Sequence, residues 1–267
     1  MRYSNLHTHT IFSDGRYTPE ENVLEAVKRN MTSIGFSDHS YTDFDLRFGI
    51  RPQNTAAYAR EIRRLQKKYR DELEIYLGLE LDGFSKLENR ELYDYIIGDC
   101  HYIKIGDEYF TVDDSREEQQ QVIDRYFDKD AMKYARAYFD VYTEKTIQHK
   151  PDILGHFDLV AKFDLMDENS KVYKSMASQA LAECLKITPF IELNTGPVCR
   201  RVRKVPYPTV FILKEILRRK GKIVLSSDSH EIENMTFWFD EAASLLKSVG
   251  FKSVVQMKNN KFEETGL

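Results

Sequence analysis

Two histidines stand two residues apart in the stretch His7-Thr8-His9, and Asp14 follows shortly after in "NLHTHTIFSD". The same two-residue spacing recurs in "SSDSH", as Asp228 and His230. Between these ends lie His39 in "FSDHS", Glu80 in "GLELD", His101 in "GDCHY" and His156 in "LGHFD". Imidazole with carboxylate, and no thiolate, is a donor set suited to zinc, manganese or iron. Asp14, Glu80 and Asp228 with neutral imidazoles carry three negative charges. Nine candidate ligands exceed what one ion of about four to six ligands can use. A site of two or three divalent ions follows, net positive and suited to an anion such as a phosphate ester. Paired ions also generate a bridging hydroxide at neutral pH and stabilise both attacking and leaving oxygens.

Such a set needs elements that aim it. Short apolar runs alternate with amphipathic stretches, and seven of the runs read as strands: "YSNLHT", "SIGFSD", "EIYLGLE", "YIIGDCH", "DILGHFD", "PFIELNT" and "KIVLSSD". Along a strand, residues i and i+2 share a face, so His7 with His9 and Asp228 with His230 converge. Six of the seven histidines fall at C-terminal ends of these strands. A single histidine is most simply a structural residue, but six at equivalent places are not. The C-terminal rim of a parallel barrel is where such fold classes build their sites, one residue per strand. His149 precedes a strand instead; it is placed at the opposite end and given no metal. Helices are expected at "TPEENVLEAVKRN", with Thr18, Pro19 and Glu21 forming the N-terminal signal, and at "NTAAYAREIRRLQKKY". A long helical region spans about 115–146, broken near Asp128–Asp130. Further helices are "SKVYKSMASQALAECLK", "PTVFILKEILRRKG" stopping at Gly221, and "DEAASLLKSVG" stopping at Gly250. "KSVVQMKN" reads as a last short strand. The alternation implies an α/β fold, either a parallel barrel or an open doubly wound sheet, in one domain over 1–267 with no linker and no repeat.

Composition narrows the function. A net charge of −4 argues against a nucleic-acid partner. No apolar stretch is long enough to span a bilayer, and no leader-like segment precedes the histidine pair. Cys100, Cys184 and Cys199 are odd in number and widely spaced, forming neither a disulfide framework nor a zinc-type pair. A cytoplasmic protein is expected. Sixteen Tyr and sixteen Phe predict an aromatic-rich core.

Together "HTHTIFSD", "FSDHS", "GLE", "GDCHYI", "GHFD" and "SSDSH" resemble the PHP (polymerase and histidinol phosphatase) family, and its histidinol-phosphatase branch most closely. The resemblance implies a distorted (β/α)7 barrel of TIM-like form with a trinuclear metal site. By position, His7 and His9 would hold a first metal with Glu80 and Asp228. Glu80 would bridge to a second, bound by His101 and His156. Asp14, His39 and His230 would hold the third; many relatives carry histidine near position 14. Glu80, Asp228 and His230 are read as the catalytic residues. The implied reaction is hydrolysis of L-histidinol phosphate, in histidine biosynthesis, by in-line attack of a metal-bridging hydroxide, the metals taking the charge that develops on the phosphoryl oxygens. The alternatives are a PHP phosphoesterase for another small phosphate or a nucleic-acid end, and a non-catalytic PHP scaffold.

Outside the metal ligands, "NTGPVCRRVRK" follows the sixth strand and is the densest basic cluster near a strand end. Arg200 or Arg201 is the candidate clamp for the substrate phosphate; a solvated charged loop is the plain alternative for the cluster. Members of the branch often carry arginine shortly after the "GHFD" histidine. Here Ala161 and Lys162 occupy that region, and Lys162 would act as a point charge rather than a fork. Residues 103–126 are too long for a simple connection and are expected to cap the barrel. Asp107, Asp113 and Asp114 are its unranked acids for an amino-bearing substrate. Cys100, next to His101, should point away into the core.

Overall fold

The computed structural model describes residues 2–267. All seven expected strands form, as β1 (Ser4–Asn5), β2 (Ser33–Phe36), β3 (Glu74–Asp82), β4 (Tyr95–Asp99), β7 (Ile153–Leu154), β8 (Phe190–Asn194) and β9 (Lys222–Ser226). They lie side by side in that order, every adjacent pair parallel. The order settles the choice left open by strand–helix alternation. A doubly wound sheet reverses its order at a switch point, whereas here each strand is added beside the last and the sheet curls. Past the strand ends a parallel bridge joins Thr8 to Ser229, and backbone bonds of 2.8 Å (His9 N to Ser229 O) and 3.1 Å (Ser229 N to His7 O) draw the two edges together. The fold is a distorted TIM-like barrel, closed at the end where the strands finish.

At the other end the closure is made by a different device. The expected last strand is β10 (Ser253–Lys258). It turns back through an antiparallel partner, β11 (Lys261–Gly266), that the sequence reading did not anticipate. β10 meets β9 at one parallel pair, Val255 with Val224. It is tied across the gap by Ser33 Oγ to Met257 O (3.2 Å) and Gln256 Nε2 to Arg2 O (3.0 Å). Val255 and Met257 join Leu6, Tyr76, Tyr95, Ile97, Ile153 and Val224 in a buried apolar floor. Tyr95 lies across this interior, its hydroxyl donating to the Leu6 carbonyl. Gly35 and Gly78 leave room for it, since a β-carbon at either position would run into the Tyr95 side chain.

The helices are α1 (Pro19–Lys28), α2 (Thr55–Lys68), α3 (Arg116–Tyr126), α4 (Ala131–His149), α5 (Lys171–Cys184), α6 (Gly196–Cys199), α7 (Val210–Arg218) and α8 (Phe239–Val249). Thr18 and Glu21 form the expected capping box on α1. The long helical region breaks where expected: Asp128 and Lys129 take φ of 56° and 62°, and Asp130 caps α4. α7 ends earlier than Gly221, because Lys220 takes the left-handed conformation with φ of 64°. Gly250 does stop α8, with φ of 115°. The outer core is aromatic, with Tyr138, Phe139, Tyr142, Phe157 and Tyr173 packed together and Cys100 buried beside them as expected. The stretch over 103–126 holds a hairpin, β5 (Tyr102–Ile105) with β6 (Glu108–Thr111), followed by α3. No helix among the described residues is long and apolar enough to cross a membrane.

Candidate metal centre

Each strand delivers its polar residue just where the apolar floor ends. β3 runs with Leu79 and Leu81 in the outer core while Glu80, between them, turns inward. Its two oxygens meet five imidazoles: His7 Nε2 at 3.1 Å, His9 Nε2 at 3.4 Å, His39 Nδ1 at 2.7 Å, His101 Nε2 at 3.8 Å and His156 Nε2 at 2.9 Å. A second focus is Asp14, whose oxygens lie 3.1 Å from His230 Nε2, 3.5 Å from His9 Nδ1 and 3.7 Å from His39 Nε2. Three groups offer one ligand atom per residue within 4.8 Å of one another: His7, His9 and Glu80; His9, Asp14, His39 and His230; and Glu80, Asp99, His101 and His156.

All nine expected ligands therefore gather at one end of the barrel, with two differences in grouping. His9 stands in two of the groups rather than one. Asp228 lies beside the first, 3.1 Å from His9 Nε2 and 3.7 Å from His7 Nε2, but outside every group, and its other oxygen pairs with Arg200 at 2.8 Å. Asp228 sits at φ of 48°, a left-handed conformation that a non-glycine residue adopts at a cost and that is typical of functional sites.

The residues fit divalent ions on their own chemistry. His7 Nε2, both nitrogens of His9, Glu80 Oε2 and both oxygens of Asp99 are buried without a hydrogen-bond partner among the described residues. Buried polar atoms are seldom left so. Burial pushes His9 down to about 3, helped by the neighbouring His230 and His39, so it stays neutral and keeps the one ring lone pair a metal ligand needs. Burial also opposes charge on His39, but Glu80 and Asp14 prevail and lift it to about 9. Glu80 resists the upward push of burial because His39 and His7 hold it ionised. Charge on imidazoles is thus standing in for charge that metal ions would supply.

Two carboxylates escaped the sequence reading. Glu192 is in the middle of β8, its Oε1 2.6 Å from His7 Nδ1 and its Oε2 accepting from the His156 backbone at 2.9 Å. A carboxylate behind a histidine fixes which ring nitrogen faces the ion. The signal was its presence in an otherwise apolar strand, "FIELN". The other is Asp99, two residues before His101 in the same spacing as Asp228 and His230. Asp38 also has a local task. It accepts from Thr10 N (2.8 Å), Thr10 Oγ1 and Ser13 Oγ (2.6 Å), which shapes the loop from His9 to Asp14.

Above the ligands opens a cavity of about 310 Å³. Asp14, His39, His101, Asp228 and His230 form its base; Arg200 and Lys162 stand on its wall. Lys162 Nζ is held by Asp113, at 2.6 Å from its carbonyl and 3.0 Å from Oδ2. Asp113 and Asp114 line the cavity, whereas Asp107 is exposed on the β5–β6 turn. Arg201, offered as an alternative clamp, is exposed and not among the lining residues, because a φ of 56° turns the chain at the end of α6. Arg203 is spent on structure, buried against Glu168 at 2.8 Å. Asn194 serves the loop and the site together, accepting from Gly196 N at 2.8 Å and donating to Glu192 at 3.1 Å. His149 joins none of the ligand groups; its Nε2 lies 2.9 Å from the Gly83 carbonyl, outside the barrel beside the turn after β3 rather than at the far end.

A parallel barrel with an imidazole–carboxylate cluster at its C-terminal rim defines the class: a barrel whose strand ends assemble a candidate metal centre. The chain belongs to the PHP domain family, whose model matches residues 5–196. It is similar to the histidinol-phosphatase of Lactococcus lactis, 26% identical over 99% of this chain and 97% of that one. It is also similar to the histidinol-phosphatase of Bacillus subtilis, 25% identical over 90% and 98%. The structure of the Lactococcus lactis histidinol phosphate phosphatase, complexed with zinc, L-histidinol and phosphate, superposes with a TM-score of 0.72 at 24% identity, covering 98% of this chain and 99% of that one.

Proposed function

We propose that this protein is a metal-dependent phosphatase that hydrolyses L-histidinol phosphate to L-histidinol and phosphate. The observation that carries the reading is the cavity whose base is the ligand cluster and whose wall holds Arg200 and Lys162. Its volume of about 310 Å³ suits a small phosphate monoester rather than a polymer. Curated relatives matching nearly the whole chain bear that activity in their names. Residues 1–267 act as one unit, since the cluster draws ligands from His7 to His230.

His7, His9, Glu80 and Asp228 would hold one ion, Glu80, His101 and His156 a second, and Asp14, His39 and His230 a third. Divalent ions so held lower the pKa of water and neutralise phosphoryl oxygens. The chain's own residues do the rest. Arg200, kept in place by Asp228, presents its guanidinium to the phosphate. Lys162 adds a point charge that Asp113 positions. Asp114 also lines the cavity, paired with Arg47 at 2.8 Å. Glu192 holds His7 in one tautomer.

Turnover of a panel of phosphate monoesters and diesters by the purified, metal-loaded protein tests this. A preference for histidinol phosphate of roughly tenfold, about 1.4 kcal/mol, is the least expected. Equal turnover of other monoesters would leave a general phosphoesterase, and no hydrolysis with zinc, manganese or iron would leave the scaffold reading.

A further inference from the structure

We infer that Asp99 is a fourth protein ligand of the ion that Glu80, His101 and His156 would hold. The inference rests on reading the histidine cluster as a metal centre. Asp99 is the last residue of β4, and alternation places Tyr95, Ile97 and Asp99 on the inner face. Tyr95 and Ile97 belong to the apolar floor, so Asp99 is the first polar group above it. Its side chain is 0% exposed. Burying a carboxylate away from water is costly unless something charged pairs with it. Yet neither oxygen has a hydrogen-bond partner among the described residues. Oδ1 lies 3.3 Å from His101 Nδ1 without hydrogen-bond alignment, and Oδ2 lies 3.8 Å from His156 Nε2. That second nitrogen is the one His156 turns toward Glu80, at 2.9 Å. Ligand atoms of all four residues fall within 4.8 Å of one another, a spacing that one ion spans.

A four-ligand site changes how firmly this ion is held. Two carboxylates and two imidazoles neutralise a divalent ion, and three of the four side chains are 2% exposed or less. The group of His9, Asp14, His39 and His230 offers a single carboxylate, and three of its members are 17–27% exposed. The ion beside Asp99 is therefore the one a chelator removes last.

The test is metal counting, which needs no substrate. The zinc-loaded protein is dialysed against graded chelator and its bound metal measured, for the parent, Asp99→Asn, His101→Ala and the double variant. The parent should keep one ion after the others leave. Asp99→Asn should lose that ion with affinity down roughly tenfold or more, and the loss should persist in the His101→Ala background. Unchanged affinity in Asp99→Asn overturns the inference. So does a loss that vanishes without His101, because Asp99 would then only orient that ring. Should Asp99→Asn not fold, a crystal structure of the zinc-loaded parent decides: an Asp99 oxygen about 2.0–2.2 Å from an ion supports the inference, and one beyond hydrogen-bond range refutes it. A protein that binds no metal at all defeats the metal centre itself, whereas metal bound without Asp99 defeats this inference alone.

Discussion

Glu80 is the residue on which the centre turns. Five imidazoles lie 2.7–3.8 Å from its oxygens, and it is the one carboxylate shared by two ligand groups. Removing it would strip a ligand from more than one ion and leave several buried rings without their counter-charge. Removing Arg200 would leave every ligand in place. Glu80→Ala should therefore abolish phosphatase activity and lower the metal content, while Arg200→Ala should mainly raise KM; steady-state kinetics with metal analysis separates them, and near-normal turnover in Glu80→Ala would disprove the ligand set. At this scale the clustering was unusually legible, because each candidate ligand stands as a histidine or acid in a short, recognisable block. What stayed hidden was pairing across strands. Glu192 meets His7 over a sequence distance of 185 residues, and no local spacing encodes that. Asp99 was legible in principle, since "DCH" repeats the spacing of "DSH".

Elements carry the next layer, and here the strands were easier to read than their closure. Seven strands were visible as apolar runs ending in polar residues, whereas β11 reads "KFEETG", with nearly every side chain at least partly exposed and too little apolar character to stand out. Barrel geometry also hangs on residues whose importance shows only in three dimensions. Gly78 is one of two glycines that let Tyr95 cross the interior. Gly78→Ala should destabilise the fold by about 1–3 kcal/mol through overpacking, read by urea denaturation, and combining it with Tyr95→Ala should remove the additional penalty. On the outside, Glu20 ties α1 to α2 and the residue that follows it. Hydrogen bonds from Lys68, Arg64 and Tyr69 hold its carboxyl down at about 2, below its ordinary 4.5. A depressed carboxylate contributes its stability above the ordinary value and loses it as pH falls through the folded one. The stability gap between parent and Glu20→Gln should accordingly be full above about pH 4.5 and shrink toward pH 2. A gap constant across that window would mean that the contact, not its charge, is what matters.

At the scale of the whole molecule, the metal centre and the fold are one object. Its candidate ligands follow six of the seven barrel strands, with β8 supplying Glu192 behind His7, so ions bound there would fasten those strands to one another across the rim. Buried carboxylates at that rim need positive charge, and without ions imidazolium supplies it, together with Arg200 at Asp228. Stripping metal should lower the melting temperature, with a loss of about 4 kcal/mol at ion concentrations near a thousand times Kd. Calorimetry with and without chelator measures this; an unchanged transition would show that the barrel closes without ions.

The floor built by β10 and β11 has a consequence for synthesis. Every candidate ligand precedes this hairpin in the chain, and β1, which leads into the first two, must wait for it. On a ribosome the histidine pair emerges well before the hairpin, and the gap beside it is filled only when the hairpin has left the exit tunnel. Such sequence-distant pairing makes folding slow and leaves apolar strand edges open meanwhile. Until the hairpin follows, the sheet stays unsealed, with its imidazoles exposed to any metal present before the cavity above them has formed.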